Sequence, residues 1–189
     1  MNLFELFKLS RTLQLKDGEI LLMSTPVNMV PTTVLADMQK SLIDKLGFVK
    51  AYTIFYESAK NGAYLYNKNF IEFYKFKDKR DILEWQRKVV TMAGWGNWKI
   101  QSFNTENNAI VAKIEKSVFA GEYGQVSYPV DIIPVGFSAG GMSANFGSDL
   151  ECIETKCIAM GDPYCEIEIG PPELIIPKRE QLWKKWKLI

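Results

Sequence analysis

The sequence predicts an α+β fold in which a small antiparallel sheet packs against several helices. Three stretches before residue 94 repeat apolar residues every three or four positions, as amphipathic helices do. Two later stretches alternate apolar and polar residues on both sides of a short turn, as β-hairpins do. The chain has 189 residues, of which 47% are apolar, and this is enough to fill one core. We therefore expect a single domain.

The first elements are a strand and a helix. The segment 19–24 follows an Asp-Gly turn and is expected to be a buried strand. A helix is then expected from Thr32, as its N-cap, to the residue before Gly47. Its predicted apolar face consists of Leu35, Met38, Leu42 and Leu46.

Two longer helices follow. The segment 49–70 keeps an apolar stripe without a proline, and Gly62 within it suggests close packing of another helix. The segment 78–93 has one apolar and one basic face, and Gly94 and Gly96 mark its end.

A hairpin and a glycine-rich helix come next. Residues 98–103 and 109–116 form the predicted hairpin, in which the core face carries Ile100, Ile110, Ala112 and Ile114. Pro134 suits the first turn of a short helix. The many small residues of this helix imply tight packing against another element, and they include Gly136, Ala139, Gly140, Gly141 and Ala144.

The last predicted sheet element is a second hairpin, with arms at 150–160 and 164–169 around a Gly-Asp-Pro turn. Pro171 and Pro172 are expected to end the folded core. Residues 171–189 form a basic tail that is predicted to be helical and contains Trp183 and Trp186. The tail could lie on an anionic membrane surface or on nucleic acid, or its tryptophans could dock on the domain or on a second subunit.

Composition excludes several functions. The chain contains no histidine, so it has no Ser-His-Asp or Cys-His pair and no histidine metal ligand. The formal net charge of +1 makes nucleic acid an improbable partner. No apolar run is long enough to cross a bilayer, and the first residues do not resemble a secretion signal. We therefore expect a cytoplasmic protein whose three cysteines are thiols or metal ligands.

The cysteines of the last hairpin form a candidate metal site. Cys157 and Cys165 lie on opposite arms, so antiparallel pairing brings their side chains together. Glu154 could reach the same point, and two sulfurs with a carboxylate suit zinc, although a fourth ligand is needed. The two cysteines could instead be ordinary buried thiols, while a disulfide is improbable in a reducing cytoplasm. Cys152 is expected to lie in the core or in a pocket wall.

A resemblance to a known family rests on two motifs. The first is the run Gly-Phe-Ser-Ala-Gly-Gly-Met-Ser-Ala-Asn-Phe-Gly over 136–147, and the second is Glu154-x2-Cys157-x7-Cys165 with Gly-Asp-Pro inside. Together they resemble the 4-vinyl reductase domain family, which comprises small hydrocarbon-binding domains related to the sensory domains of phenol- and xylene-responsive activators. A Golgi transport-complex subunit is a more distant relative. The resemblance implies one ligand-binding domain over 1–170.

The resemblance also implies a structural zinc ion that holds the lid of a pocket. The family's ligands correspond to Glu154, Cys157 and Cys165, with a further cysteine where this chain has Asp131. Asp131, Cys152 or a water molecule could therefore complete the site.

The implied pocket is apolar and enclosed by helices and sheet. Its candidate lining residues would serve equally well in an ordinary core, and they are Phe55, Tyr56, Trp98, Phe103, Phe137 and Cys152. Phenol-sensing relatives hold the ligand hydroxyl with a histidine, which this chain lacks. A more apolar ligand, or one held by a tyrosine or by the indole N–H of a tryptophan, is easier to accommodate.

Three functions follow from the resemblance. The first is a domain that binds or senses a small hydrophobic ligand, with its output through a homodimer or a separate protein. The second is a role in tetrapyrrole vinyl reduction, which lacks support because the chain has no dinucleotide-binding glycine motif and no histidine acid. The third is a scaffold for protein interactions.

Overall fold

The fold was obtained as a computed structural model that describes residues 13–22 and 24–189. The helices in these ranges are α1 (Thr32–Leu46), α2 (Phe48–Tyr74), α3 (Lys79–Met92), α4 (Val118–Tyr123), α5 (Ile132–Phe146) and α6 (Pro172–Lys185). The strands are β1 (Leu13–Lys16), β2 (Glu19–Leu22), β3 (Thr25–Val27), β4 (Asn97–Asn104), β5 (Ala109–Glu115), β6 (Glu151–Lys156) and β7 (Cys165–Gly170). The predicted α+β class is confirmed.

The strands form two antiparallel sheets. A small sheet has the order β1-β2-β3, and a larger one has the order β4-β5-β7-β6. Alternate residues of β5 are buried, and Ile110, Ala112 and Ile114 join the main core together with residues of α5. Both predicted hairpins and the predicted core face of β5 are confirmed.

Helices α2 and α5 cross at very short range. A Cβ atom at Gly136 would lie 2.4 Å from the carbonyl oxygen of Tyr56, and one at Gly140 would lie 1.9 Å from that of Lys60. The prediction of tight packing along α5 is therefore confirmed. At Gly62, in contrast, a Cβ atom would have no neighbour within 4 Å, so the prediction that this glycine marks a close helix contact is wrong.

The buried face of α1 differs from the predicted one. Ala36, Gln39 and Ile43 are buried, whereas Met38 is 52% exposed. The physical reason is Gln39, whose amide nitrogen donates to the hydroxyl of Tyr123 and to the carbonyl of Val130. A polar residue with two buried partners turns the helix by one position from the purely apolar stripe. The helix begins at Thr32, but Pro31 occupies the N-cap position.

The first predicted strand is also less buried than expected. Strand β2 ends at Leu22 and its residues are exposed or half-buried, while Met23 lies outside the described residues. Its apolar residues are partly exposed because β1 and β3 pair with its edges and do not cover its faces. Leu22 alone in β2 packs against the small cluster around Phe70.

The chain after Pro171 continues the core, whereas the sequence suggested that the two prolines end it. Helix α6 begins at Pro172, and the Trp183 ring packs at 4.8 Å from Tyr52 and 5.7 Å from Phe48, measured between ring centroids. Trp183 is 9% exposed, so its indole is used inside the fold and not on a membrane. None of the helices described is both long and apolar enough to cross a bilayer.

Candidate metal and ligand sites

A buried cluster of sulfur and oxygen atoms lies where β6 ends and β7 begins. One carboxylate oxygen of Glu154 and the Sγ atoms of Cys157 and Cys165 all lie within 4.8 Å of one another, and all three residues are buried. These are the three ligands that the sequence motif suggested, and the fold brings them together.

The turn between the strands explains why the two cysteines meet. The Cys157 carbonyl accepts hydrogen bonds from the N–H groups of Met160 and Asp162, and the Asp162 carboxylate accepts the N–H of Cys157 at 2.8 Å. Gly161 takes a left-handed φ of 97° that a glycine adopts without strain. The tight loop thereby returns the chain to Cys165 beside Cys157.

Asp131 lies next to this cluster, at the N-cap position of α5, and is fully buried. Its carboxylate accepts a 2.6 Å hydrogen bond from the Ser117 hydroxyl, and its backbone N–H donates to Glu154 at 2.9 Å. Asp131 Oδ2 and Glu154 Oε1 have no hydrogen-bond partner within the described part of the chain. Two buried carboxylate oxygens without partners are costly unless a cation neutralises them.

The electrostatics of the cluster also favour a cation. Burial raises the pKa of Glu154, and the nearby carboxyl of Asp131 raises it further. Burial likewise raises the pKa of Asp131. A hydrogen bond from the Cys165 thiol lowers the pKa of Cys157, while this donation and burial raise the pKa of Cys165. Four acidic groups thus compete for charge in one dry space, and a divalent metal would allow all of them to ionise.

A cavity of about 30 Å³ lies between the larger sheet and helices α3 and α5. Its wall includes the predicted residues Trp98 and Phe137. The Trp98 indole N–H donates to the carbonyl of Trp95 at 3.1 Å, so this donor is already used. The other lining residues are Leu83, Gln86, Arg87, Val90, Ile100, Ile110, Ala112, Ser138, Met142 and Ile169.

The remaining candidate pocket residues lie elsewhere. Phe103 lines an open surface groove of about 420 Å³ that also contains Leu174 of α6. Phe55 is half-buried beside the main core. Tyr56 and Cys152 are buried, and the N–H of Cys152 donates to the Tyr56 hydroxyl at 3.1 Å.

A charged network links Tyr56 to three elements. The Glu151 carboxylate accepts hydrogen bonds from the Tyr56 hydroxyl at 2.6 Å and from Lys60 at 2.6 Å, and it also pairs with Arg179. Burial tends to raise the pKa of Glu151, but the three donors outweigh burial and lower this pKa. Strand β6 is thereby tied to α2 and α6.

Sequence reasoning missed several polar residues at these sites. Ser117 is 14 residues from the carboxylate that it contacts, and Gln86 and Ser138 are separated from each other by two strands and a helix. No local spacing signals such pairs, because only the folded topology brings them together.

Residues 110–171 match the family model of the 4-vinyl reductase domain. This segment of the chain is a 4-vinyl reductase domain. It extends from β5 to the start of α6 and contains all four candidate metal ligands. The resemblance that the two sequence motifs indicated is thus confirmed.

Solved structures share the fold of the chain well beyond this 4-vinyl reductase domain. The phenol-responsive sensory domain of the transcription activator PoxR, solved with phenol, has a TM-score of 0.80 at 22% identity, with 90% of each chain covered. A trafficking protein particle complex subunit 3 from Naegleria fowleri, covalently bound to palmitic acid, has a TM-score of 0.56 at 15% identity, covering 74% of this chain and 93% of that one.

A vinyl-4-reductase family protein from Methanocaldococcus jannaschii has a TM-score of 0.52 at 15% identity, covering 76% and 83% of the two chains. No curated protein matches the sequence. At these identities the structural similarity establishes the fold.

Proposed function

We propose that this protein binds or senses a small hydrophobic molecule in the cavity between the larger sheet, α3 and α5. The observation that carries the proposal is the composition of the wall, in which nine of twelve lining residues are apolar. The PoxR sensory domain, which shares the fold over 90% of its length, was solved with phenol, and this supports the proposal.

The size of the cavity adds a mechanical element to the proposal. A volume of about 30 Å³ corresponds to one water molecule, so a ring compound must displace neighbouring side chains. Met142 lies in the wall, and its unbranched side chain can adopt other rotamers at low cost. Binding therefore moves parts of α5 or α3, and such movement is what a sensory domain requires.

We further propose that zinc is held by Glu154, Cys157, Cys165 and Asp131. The two unpartnered carboxylate oxygens and the two adjacent thiols support this donor set, and zinc accepts both sulfur and oxygen ligands. Protein ligands at all four positions would make the metal structural. The ion would fix the β6–β7 turn to the start of α5, and α5 forms one wall of the cavity.

The output of such a domain would pass through a homodimer or a separate protein in the cytoplasm. The homodimer is tested by light scattering on protein eluting from a gel-filtration column. A mass of one chain at all concentrations would contradict it.

Native mass spectrometry tests the ligand proposal. Protein isolated under non-denaturing conditions should carry a hydrophobic molecule, or take one up from a mixture of single-ring compounds. Ala112→Val narrows the cavity and should abolish uptake, whereas Ala93→Val, at an exposed position, should not. Equal uptake by both variants would contradict the assignment of the cavity.

Metal analysis tests the zinc proposal separately. Reduced, native protein should contain close to one equivalent of zinc. A content below about 0.3 equivalents, after purification without chelators, would contradict a structural site, because such sites bind zinc too tightly to lose it in purification.

A further inference from the structure

The cavity wall contains three polar side chains, and the state of each one constrains the ligand. Arg87 is engaged, since its guanidinium donates to the Trp98 carbonyl at 3.1 Å and to the Glu84 carboxylate at 2.8 Å. The other two are Gln86 and Ser138, which are both buried.

The orientation of Gln86 follows from its neighbour Asn67. The Asn67 side-chain nitrogen donates to the Ala63 carbonyl at 2.8 Å within α2, so Asn67 Oδ1 faces the other way. This oxygen accepts a hydrogen bond from Gln86 Nε2. Because the Asn67 amide is fixed by the helix backbone, Gln86 must present its nitrogen to Asn67.

The carbonyl oxygen of Gln86 is therefore the atom left for the cavity. No donor within the described ranges bonds to Gln86 Oε1, although the residue has a relative exposure of only 8%. Gly141 makes room for this arrangement, because a Cβ there would lie 2.9 Å from the Asn67 nitrogen and 3.5 Å from Gln86 Nε2.

Ser138 offers the same kind of atom. Its hydroxyl hydrogen is donated to the Pro134 carbonyl at 2.8 Å, one turn back along α5. What Ser138 offers a ligand is thus a lone pair of its oxygen. Both polar groups that are free to meet a ligand are acceptors, and a buried acceptor gains most from a donor.

We infer that the ligand is an uncharged, largely apolar molecule that donates one hydrogen bond to Gln86 Oε1 through a hydroxyl or N–H group. This inference rests on the proposed function and assigns Gln86 as the residue that determines specificity, with Asn67 as its positioning residue. A carboxylate ligand is excluded, since it would place its charge against two acceptor oxygens.

A matched set of single-ring compounds tests the inference on the whole wild-type chain. Phenol and aniline donate a hydrogen bond, anisole only accepts one, toluene does neither, and benzoate is charged. Isothermal titration should give phenol and aniline a Kd about tenfold lower than anisole or toluene, because one hydrogen bond corresponds to roughly a tenfold change in Kd. Benzoate should not bind.

Gln86→Met keeps the length of the side chain and removes the acceptor. We expect this variant to bind toluene as the wild type does and to bind phenol no more tightly than toluene. Gln181→Met, at an exposed position of α6, is the matched control and should keep the preference for donors. If Gln86→Met does not fold, the wild-type comparison of phenol with anisole still decides the question.

The outcomes separate the inference from the proposed function. If toluene and anisole bind as tightly as phenol to the wild type, or if folded Gln86→Met keeps the preference, the inference is overturned and the cavity remains a binding site. If none of the five compounds binds, the proposed function and the inference are both overturned.

Discussion

The Glu154 carboxylate accepts a 2.9 Å hydrogen bond from the backbone N–H of Asp131. This bond joins the middle of β6 to the residue that precedes α5, across 23 positions of sequence. It orients the Glu154 side chain while leaving its second oxygen without a partner among the residues described. The strand and the helix therefore meet at a carboxylate with one oxygen available to a cation.

Replacement of Glu154 by glutamine separates its two roles. The amide oxygen of Glu154→Gln can still accept from Asp131, but the ligand charge is lost. We expect zinc content to fall well below that of the wild type, with lower thermal stability. Glu106→Gln, in the exposed β4–β5 turn, is the control and should retain full zinc. Full zinc in Glu154→Gln would remove Glu154 from the ligand set.

The three cysteines provide an internal comparison, because all are buried and free. Cys157→Ser and Cys165→Ser should lose zinc and should unfold about 10 °C lower or more, since a loss of about 3 kcal/mol lowers Tm by roughly this amount in a chain of this size.

Cys152→Ser is the control for the cysteine variants and should keep the metal. Inductively coupled plasma mass spectrometry and thermal unfolding monitored by circular dichroism measure both effects. The same zinc loss in all three variants would indicate general destabilisation and not ligation.

The Glu151 network should make stability depend on pH. The pKa of Glu151 is lowered in the folded chain, so the ionised carboxylate stabilises the fold above the ordinary glutamate pKa of about 4.3. This contribution is lost as the pH falls below that value toward the lower pKa of the folded state.

Urea unfolding of Glu151→Gln checks this dependence. At pH 7 the variant should be about 3 kcal/mol less stable than the wild type, because Lys60 and Arg179 lose a buried partner. Near pH 3 the difference should shrink. Glu168→Gln, in the more exposed pair with Lys178, should change stability by less than about 1 kcal/mol at either pH. A difference for Glu151→Gln that stays constant with pH would contradict the role of its charge.

Two glycine variants test the close crossing of α2 and α5. Gly140→Ala would place a methyl group 1.9 Å from the Lys60 carbonyl, so the helices must separate and we expect a loss of about 2 kcal/mol or more. Gly62→Ala has open space and should stabilise α2 by about 0.5–1 kcal/mol. Chemical denaturation measures both values, and equal stability of the two variants would contradict the crossing geometry.

The elements that sequence patterns predict well are those that local chemistry determines. Helix α3 begins after Asp78, whose carboxylate caps the N–H of Arg80, and α1 ends at Gly47. The buried face of α1 was not predictable, because Gln39 is turned inward by partners 84 and 91 residues away. The docking of α6 depends in the same way on Phe48 and Tyr52, far from it in sequence.

The two candidate sites differ in how far sequence could specify them. Glu154, Cys157 and Cys165 lie on one hairpin, so short-range geometry alone brings them together. The cavity is built from two helices and three strands, and an aromatic side chain is compatible with either a cavity wall or a solid core. Trp98 and Phe137 therefore line the cavity, while Tyr56, equally aromatic, anchors the Glu151 network.

The packing of Trp183 bears on where the gene can be cut for expression. The match to the family model ends at residue 171, before α6, and a fragment ended there would lack both Trp183 and Arg179. The rings of Phe48 and Tyr52 would then face water, and Glu151 would lose one of its two cationic partners. Such a fragment should aggregate, so the boundary of the sequence family lies inside the smallest piece of the chain that folds.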